Sequence, residues 1–276
     1  MQLESLREGL AYIRQWPVLW SLGLMAGALG TITLLLQFFS GTFYSERIGI
    51  IQLIIFPFFI GGGLNIIKEG RGNLSVLVEG GKRYYFRVLL ASMVILFAVL
   101  VTMLLVIVTL AIIGILPDTA IFPMILAGVL VPILFFTFFY DTALVFEDRK
   151  VLDALRRSVE FVINGSIKVV LFIVLNLIIF AGIVIIAFIF WALWLGDRLD
   201  LLITQNLTAT ITMEPSFLLE VLGTDGAFIT ALVYFVALTV SVTILYAYKA
   251  AFFRKYSTTA STPNGDYDAK GRWYKY

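Results

Sequence analysis

Six long apolar runs limit what this chain can become more than any motif in it does. They cover residues 18–39, 48–67, 88–116, 121–146, 167–195 and 227–253. A bilayer's hydrocarbon core needs roughly 20 apolar residues per helical crossing, and each run meets that length. Lipid offers no hydrogen bonds to a bare backbone, so the runs must be helices that satisfy their own peptide groups. Only 14% of the 276 residues are charged, against about a quarter in a soluble domain. The expected fold is an all-α integral membrane protein, a bundle of six transmembrane helices within a membrane domain at 1–256. The run at 48–67 contains Gln52, Pro57, Gly61, Gly62 and Gly63 and reads as a kinked span. Residues 257–276 are polar, contain proline and glycine, and read as a disordered tail.

Charge orients the bundle. With the N-terminus inside, the inner segments hold 18 Lys and Arg and the outer loops hold 2. Such a split over short loops predicts cytoplasmic termini in a multi-pass plasma-membrane protein. The net charge of +2 therefore hides two unlike faces, and no motif points to nucleic acid. The N-terminal segment carries Glu4, Arg7, Glu8 and Arg14 and does not read as a cleavable signal. Cysteine and histidine are both absent, which removes thiol chemistry and the commonest base and metal ligand. Catalysis is disfavoured, and no cofactor or metal is expected.

Between the spans lie amphipathic stretches. In 141–164 the polar residues Asp153, Arg156, Arg157, Glu160 and Asn164 share one helical face, with Leu152, Leu155, Val159 and Val162 opposite. Ion pairs Asp153–Arg157 and Arg156–Glu160 are expected at i,i+4. Residues 2–16 form a similar helix. A shorter one is hinted at by Leu74, Leu77 and Val78, ended by Gly80 and Gly81. Leu3, Leu74 and Leu152 occupy like positions ahead of the next span, with periods of 71 and 78 residues. Three repeats of amphipathic helix plus hairpin, or a chance likeness at low identity, both account for this. Gly23 and Gly27 form a GxxxG pattern suited to close helix approach. Asn206 opens a glycosylation sequon in the long outer loop.

Asp141 is the one ionisable residue read as lying inside a span, and such residues are functional suspects by default. It either pins the surface helix or forms a proton or cation site. Asn65 and Asn176 are read as interhelical hydrogen-bonding groups. Glu147 and Asp148 sit beside Arg149, Lys150, Arg156 and Arg157, cations that would compete with any metal. Lys82, Arg83, Tyr84, Tyr85 and Arg87 form a basic, aromatic patch that reads as an interface anchor or a lipid headgroup contact. Gly61, Gly62 and Gly63 could break a helix around a binding site or allow close packing.

The stretch FEDRKVLDALRRSVEFVINGSIKVV carries Glu147-Asp148, then Ala154-Leu155-Arg156-Arg157-Ser158, Phe161 and Asn164-Gly165. It resembles a signature of prokaryotic membrane proteins, including the membrane domain attached to some glycerophosphoryl diester phosphodiesterases. The N-terminal LREGLAYIRQWPVLW looks like relatives found in archaea. The resemblance implies a polytopic helical bundle. The soluble phosphodiesterase domain is missing, so that activity does not carry over. Two readings of function stand. One is a non-enzymatic protein organising membrane lipids or a partner protein at the cytoplasmic face. The alternative is a transporter or lipid-translocating permease.

Overall fold

The computed structural model describes residues 2–115, 121–204, 215–257, 265–267 and 273–275. Nine helices make up nearly all of these described residues. They are α1 (Gln2–Gln15), α2 (Trp20–Ser40), α3 (Thr42–Glu69), α4 (Leu74–Ile112), α5 (Ile121–Thr137), α6 (Tyr140–Phe146), α7 (Val151–Asn164), α8 (Ser166–Thr204) and α9 (Pro215–Ser257). A short 3₁₀ turn, Pro17–Leu19, joins α1 to α2, and Gly223 interrupts α9 with a φ of 68°. In the tail, Gly265–Tyr267 pairs antiparallel with Trp273–Lys275. Asn206, the turn at 117–118 and most of the tail lie outside the described residues.

Six helical stretches are long and apolar enough to cross a membrane: Pro17–Ser40, Phe43–Glu69, Leu74–Ile112, Ile121–Phe146, Ser166–Gly196 and Leu222–Ser257. Each contains the greater part of one apolar run. Glycine sets the pairing of several. Gly23 and Gly27 of α2 face Thr239 and Thr243 of α9, so a GxxxG surface brings the first and last spans together. Gly62 of α3 leaves room for the backbone of Leu77 on α4, and Gly80 of α4 for Asn65 on α3.

Those contacts correct two expectations. Helix α3 passes through Pro57, Gly61, Gly62 and Gly63 without ending, so the triple glycine is a packing surface and not a break. Helix α4 runs unbroken from Leu74 through Gly80 and Gly81 to Ile112, so the short surface helix is the first part of the span helix. Glycine is a common stop signal in water. Between packed helices its missing side chain permits approach instead.

The break lies elsewhere, in the fourth crossing. Helix α5 ends at Thr137 and α6 begins at Tyr140, with Phe138 and Phe139 between. Phe139 is fully buried, and its ring lies 4.8 Å from Phe161, 5.5 Å from Phe172 and 5.8 Å from Phe252. This aromatic knot joins α7, α8 and α9 at one end of the bundle. Lipid tails are as apolar as the rings, so close van der Waals packing holds the knot together.

Candidate functional site

The polar groups of the bundle gather at the end that holds this knot. Helix α1 lies against the last turns of α9. Ser5 and Gly9 are buried there, and a Cβ on Gly9 would come within 2.9 Å of the Tyr248 backbone. Lys255 pairs with Glu4, and Tyr248 donates to Gln2 at 3.3 Å. The N-terminus and the end of the last span are therefore on the same side.

Helix α7 buries Ala154, Arg157, Ser158, Phe161 and Val162. Of the four apolar residues read as lying opposite the polar face only Val162 is fully covered, and Leu152 is 70% exposed. The helix has three sides rather than two. One faces the bundle, one turns leucines outward, and one carries Asp153, Arg156 and Glu160. Arg156 donates to Glu160 at 2.9 Å as expected. Arg157 does not pair with Asp153. It reaches the other way, donating to both oxygens of Glu147 at 3.0 and 3.1 Å and to the Ser257 carbonyl at 2.8 Å.

Ser158 explains how the fourth crossing can break. Its hydroxyl accepts from the Phe139 amide at 3.0 Å and donates to the Phe136 carbonyl at 2.7 Å. Those are two backbone groups that a continuous helix would have paired internally. Removing the hydroxyl leaves both buried and unsatisfied, so Ser158→Ala is expected to destabilise the protein by about 2 kcal/mol. Thermal unfolding in detergent reads this directly, and an unchanged midpoint would mean water replaces the hydroxyl.

The acidic pair splits between two neighbours. Glu147 holds Arg157 and Arg149. Asp148 turns onto α4, accepting from Arg83 at 2.8 Å and Arg87 at 2.7 Å. Its φ of 51° is the only positive value at a non-glycine residue among those described, and aspartate tolerates that region better than most. Partial burial pushes the Asp148 carboxyl up. The hydrogen bond from Arg87 and the charges of Arg83, Lys68 and Arg87 outweigh that and hold it below its ordinary value. A lowered carboxylate pKa contributes stability above the unfolded value, about 3.9, and that contribution fades as pH falls through the lower folded value. The partners are half exposed, so the effect stays below about 1 kcal/mol. Asp148→Asn is expected to melt slightly earlier than the parent at about pH 6, and the difference is expected to shrink as pH falls below about 4.

The remaining candidates fall as follows. Lys68 donates to the Val145 carbonyl at 2.7 Å and to the Tyr84 hydroxyl at 3.0 Å, so it closes the end of α6. Tyr84 is fully buried in that contact, which takes it out of any headgroup patch, while Lys82 is exposed and Tyr85 half-buried. Asn65 donates across to the Val76 carbonyl on α4 at 3.3 Å. Asn176 donates to Phe172 at 2.9 Å within its own helix, so the interhelical bond expected of it is not the one it makes.

Asp141 has a partner that the sequence reading passed over. Lys249 Nζ lies 2.7 Å from Oδ1 and 2.8 Å from Oδ2, with the two side chains 5% and 1% exposed. The ammonium also sits 4.4 Å from the Phe138 ring and 5.1 Å from that of Tyr246. One signal was available. Asp141 lies five residues before the end of its apolar run and Lys249 four before the end of its own, so the opposite charges stand at matching depth. A buried pair of this kind joins the fourth and sixth crossings at the level of the break.

Comparison with known proteins now adds one finding. A family described as a domain of unknown function (DUF7847) matches residues 1–256. The chain belongs to that family. No curated protein and no solved structure matches it. No link to the membrane domain of glycerophosphoryl diester phosphodiesterases is shown, nor is an archaeal origin. The DUF7847 match ends one residue short of the last residue of α9, so the matched region takes in the nine helices of the described residues and leaves out the tail.

Proposed function

We propose that this DUF7847 protein is a non-enzymatic membrane protein that organises lipids at the cytoplasmic face. One observation carries the reading. Three helical segments gathered at the cation-rich end make up a collar; each buries small or polar residues against the bundle and turns a leucine outward. The leucines are Leu3, Leu74 and Leu152, at 68%, 68% and 70% exposure. Two positions on, Ser5, Val76 and Ala154 are buried; six on, Gly9, Gly80 and Ser158 are buried; ten on, Ile13, Tyr84 and Val162 are buried. This shared phase supports reading the three segments as copies of one amphipathic unit. An outward leucine row with cations beside it suits the headgroup boundary of an anionic leaflet. The excess of Lys and Arg on that side supports a cytoplasmic location.

Transport is the second reading, and the buried Asp141–Lys249 pair is what favours it. An apolar cavity between α5, α8 and α9 argues the other way. It has a volume of about 440 Å³, is open at its side, and Asn176 and Ser241 are its only polar lining residues. Hydrated solute paths need more polar groups than that.

Purification in mild detergent followed by lipid analysis tests the proposal. The expected result is retained lipid enriched in anionic headgroups relative to the source membrane. Retention of neither lipid nor a partner protein would overturn it. Solute flux in proteoliposomes that disappears in Asp141→Asn would instead establish the second reading.

A further inference from the structure

The seam between α8 and α9 carries a feature that the collar does not explain. Two apolar cavities lie end to end along it. The inner one, about 440 Å³, is bounded by Phe138, Phe172, Asn176, Val242 and Leu245. The outer one, about 350 Å³, is bounded by Phe190, Trp194 and Val236, and Ile183 lines both. On α8 they follow one helical stripe, from Phe172 through Asn176, Phe180, Ile183, Ala187 and Phe190 to Trp194.

The length of each cavity is informative. Phe172 to Ile183 is 11 residues, or about 16 Å at 1.5 Å per residue, close to half of a ~30 Å hydrocarbon core. Each cavity is therefore one leaflet deep. The same stripe continues one turn inward from Phe172 to Lys168, which is exposed. Lys168 has no carboxylate partner among the described residues; its ammonium rests 4.8 Å from the Tyr256 ring. No glycine lines either cavity, and large branched or aromatic side chains dominate. A partner helix packs best on small residues, whereas a flexible chain fills an irregular channel between large ones.

We infer that the inner cavity holds one acyl chain of an inner-leaflet lipid of net negative charge, whose phosphate is held by Lys168 without the competing ammonium that a zwitterionic headgroup carries. This rests on the lipid-binding reading above and names the lipid class. The chain lies along Phe172, Asn176 and Ile183, and the headgroup meets the ammonium about 6 Å further along the helix axis, four residues at 1.5 Å each. Lys168 supplies charge preference, and the cavity supplies chain affinity without regard to headgroup.

The chain has no cysteine, so a single thiol can report on the cavity. Leu177→Cys at the cavity rim, carrying a small fluorophore, is titrated in detergent with phospholipids bearing brominated chains. Brominated phosphatidylglycerol is expected to quench at about tenfold lower concentration than brominated phosphatidylcholine, the size of one charge-assisted contact. Adding Lys168→Gln is expected to abolish that preference, and Lys168→Arg to keep most of it. Ser241→Phe, which fills the cavity, is expected to weaken quenching by both lipids. A reporter at Met124, which is exposed and outside the cavity, is expected to show no preference. Equal quenching by the two lipids at Leu177→Cys, or a preference that survives Lys168→Gln, would overturn the inference. If lipid still co-purifies in that case, the broader reading stands. If none does, both fall. Monodisperse elution with an unchanged melting midpoint confirms that each variant is folded.

Discussion

Asp141→Ala is expected to cost the protein 3–5 kcal/mol, roughly what is lost when one member of a buried ion pair is removed. The variant leaves the Lys249 ammonium buried, with the Phe138 and Tyr246 rings beside it and no other carboxylate partner among the described residues. Cation–π attraction at such a site is worth about 2 kcal/mol and does not replace a carboxylate at 2.7 Å. Lys249→Met is expected to fall in the same range, because it strands the carboxylate instead. The double change Asp141→Leu with Lys249→Met should recover most of the loss, since an apolar pair of similar volume carries no desolvation penalty. Unfolding midpoints of the parent, Asp141→Leu, Lys249→Met and the double variant in one detergent give the double-mutant cycle. Two single losses that simply add would show that the pair is not coupled. If the pair served ion movement alone, the double variant would be stable and without flux.

Gly23→Leu is expected to separate α2 from α9 and to cost about 3 kcal/mol, the upper end of ordinary overpacking. A side chain there meets the Thr239 carbonyl and the Thr243 hydroxyl, and the first of these is backbone that cannot swing aside. Thr243 Oγ1 already donates to Thr239 at 2.8 Å, so the whole turn of α9 is committed. Gly128→Leu is the control. Nothing lies within 4 Å of a Cβ at that site, and the new side chain would meet only what surrounds the protein. An equal midpoint for the two variants would remove the first and last spans from contact. Because α1 rests on α9, loss of this contact should also loosen the N-terminal helix.

The crossings were readable because hydropathy over 20 residues is a property of the run and needs no neighbour. The GxxxG of Gly23 and Gly27 was readable for the same reason. The break at Phe138–Phe139 was not. No glycine or proline marks it, Pro132 lies six residues earlier, and what stabilises the break is Ser158 from a different helix. Gly80 and Gly81 misled in the opposite direction, since their role depends on Asn65 and Phe58 across the α3–α4 contact. In α7 the periodicity grouped Asp153, Arg156 and Glu160 on one outward side, but it put Arg157, which is buried, with them. It could not say which of the other two sides meets the bundle, because Ala154, Arg157 and Ser158 are small or charged. At the site, Asp141 stood out as a charge within a run. Lys249 did not, because a basic residue near the inner end of a span reads as an ordinary interface residue.

Everything proposed for the collar requires α1, the start of α4, α7 and the end of α9 to share one side of the membrane, the cytoplasmic one. Single cysteines can be placed in this cysteine-free chain at Leu3, Arg156 and Tyr276, and at Asp118 and Asn206 in the opposite loops. Intact cells are then exposed to a membrane-impermeant maleimide. The expected result is labelling at positions 118 and 206 only, with positions 3, 156 and 276 reacting after the membrane is opened. Labelling of Arg156→Cys from outside, or of 3 and 276 on different sides, would contradict the account.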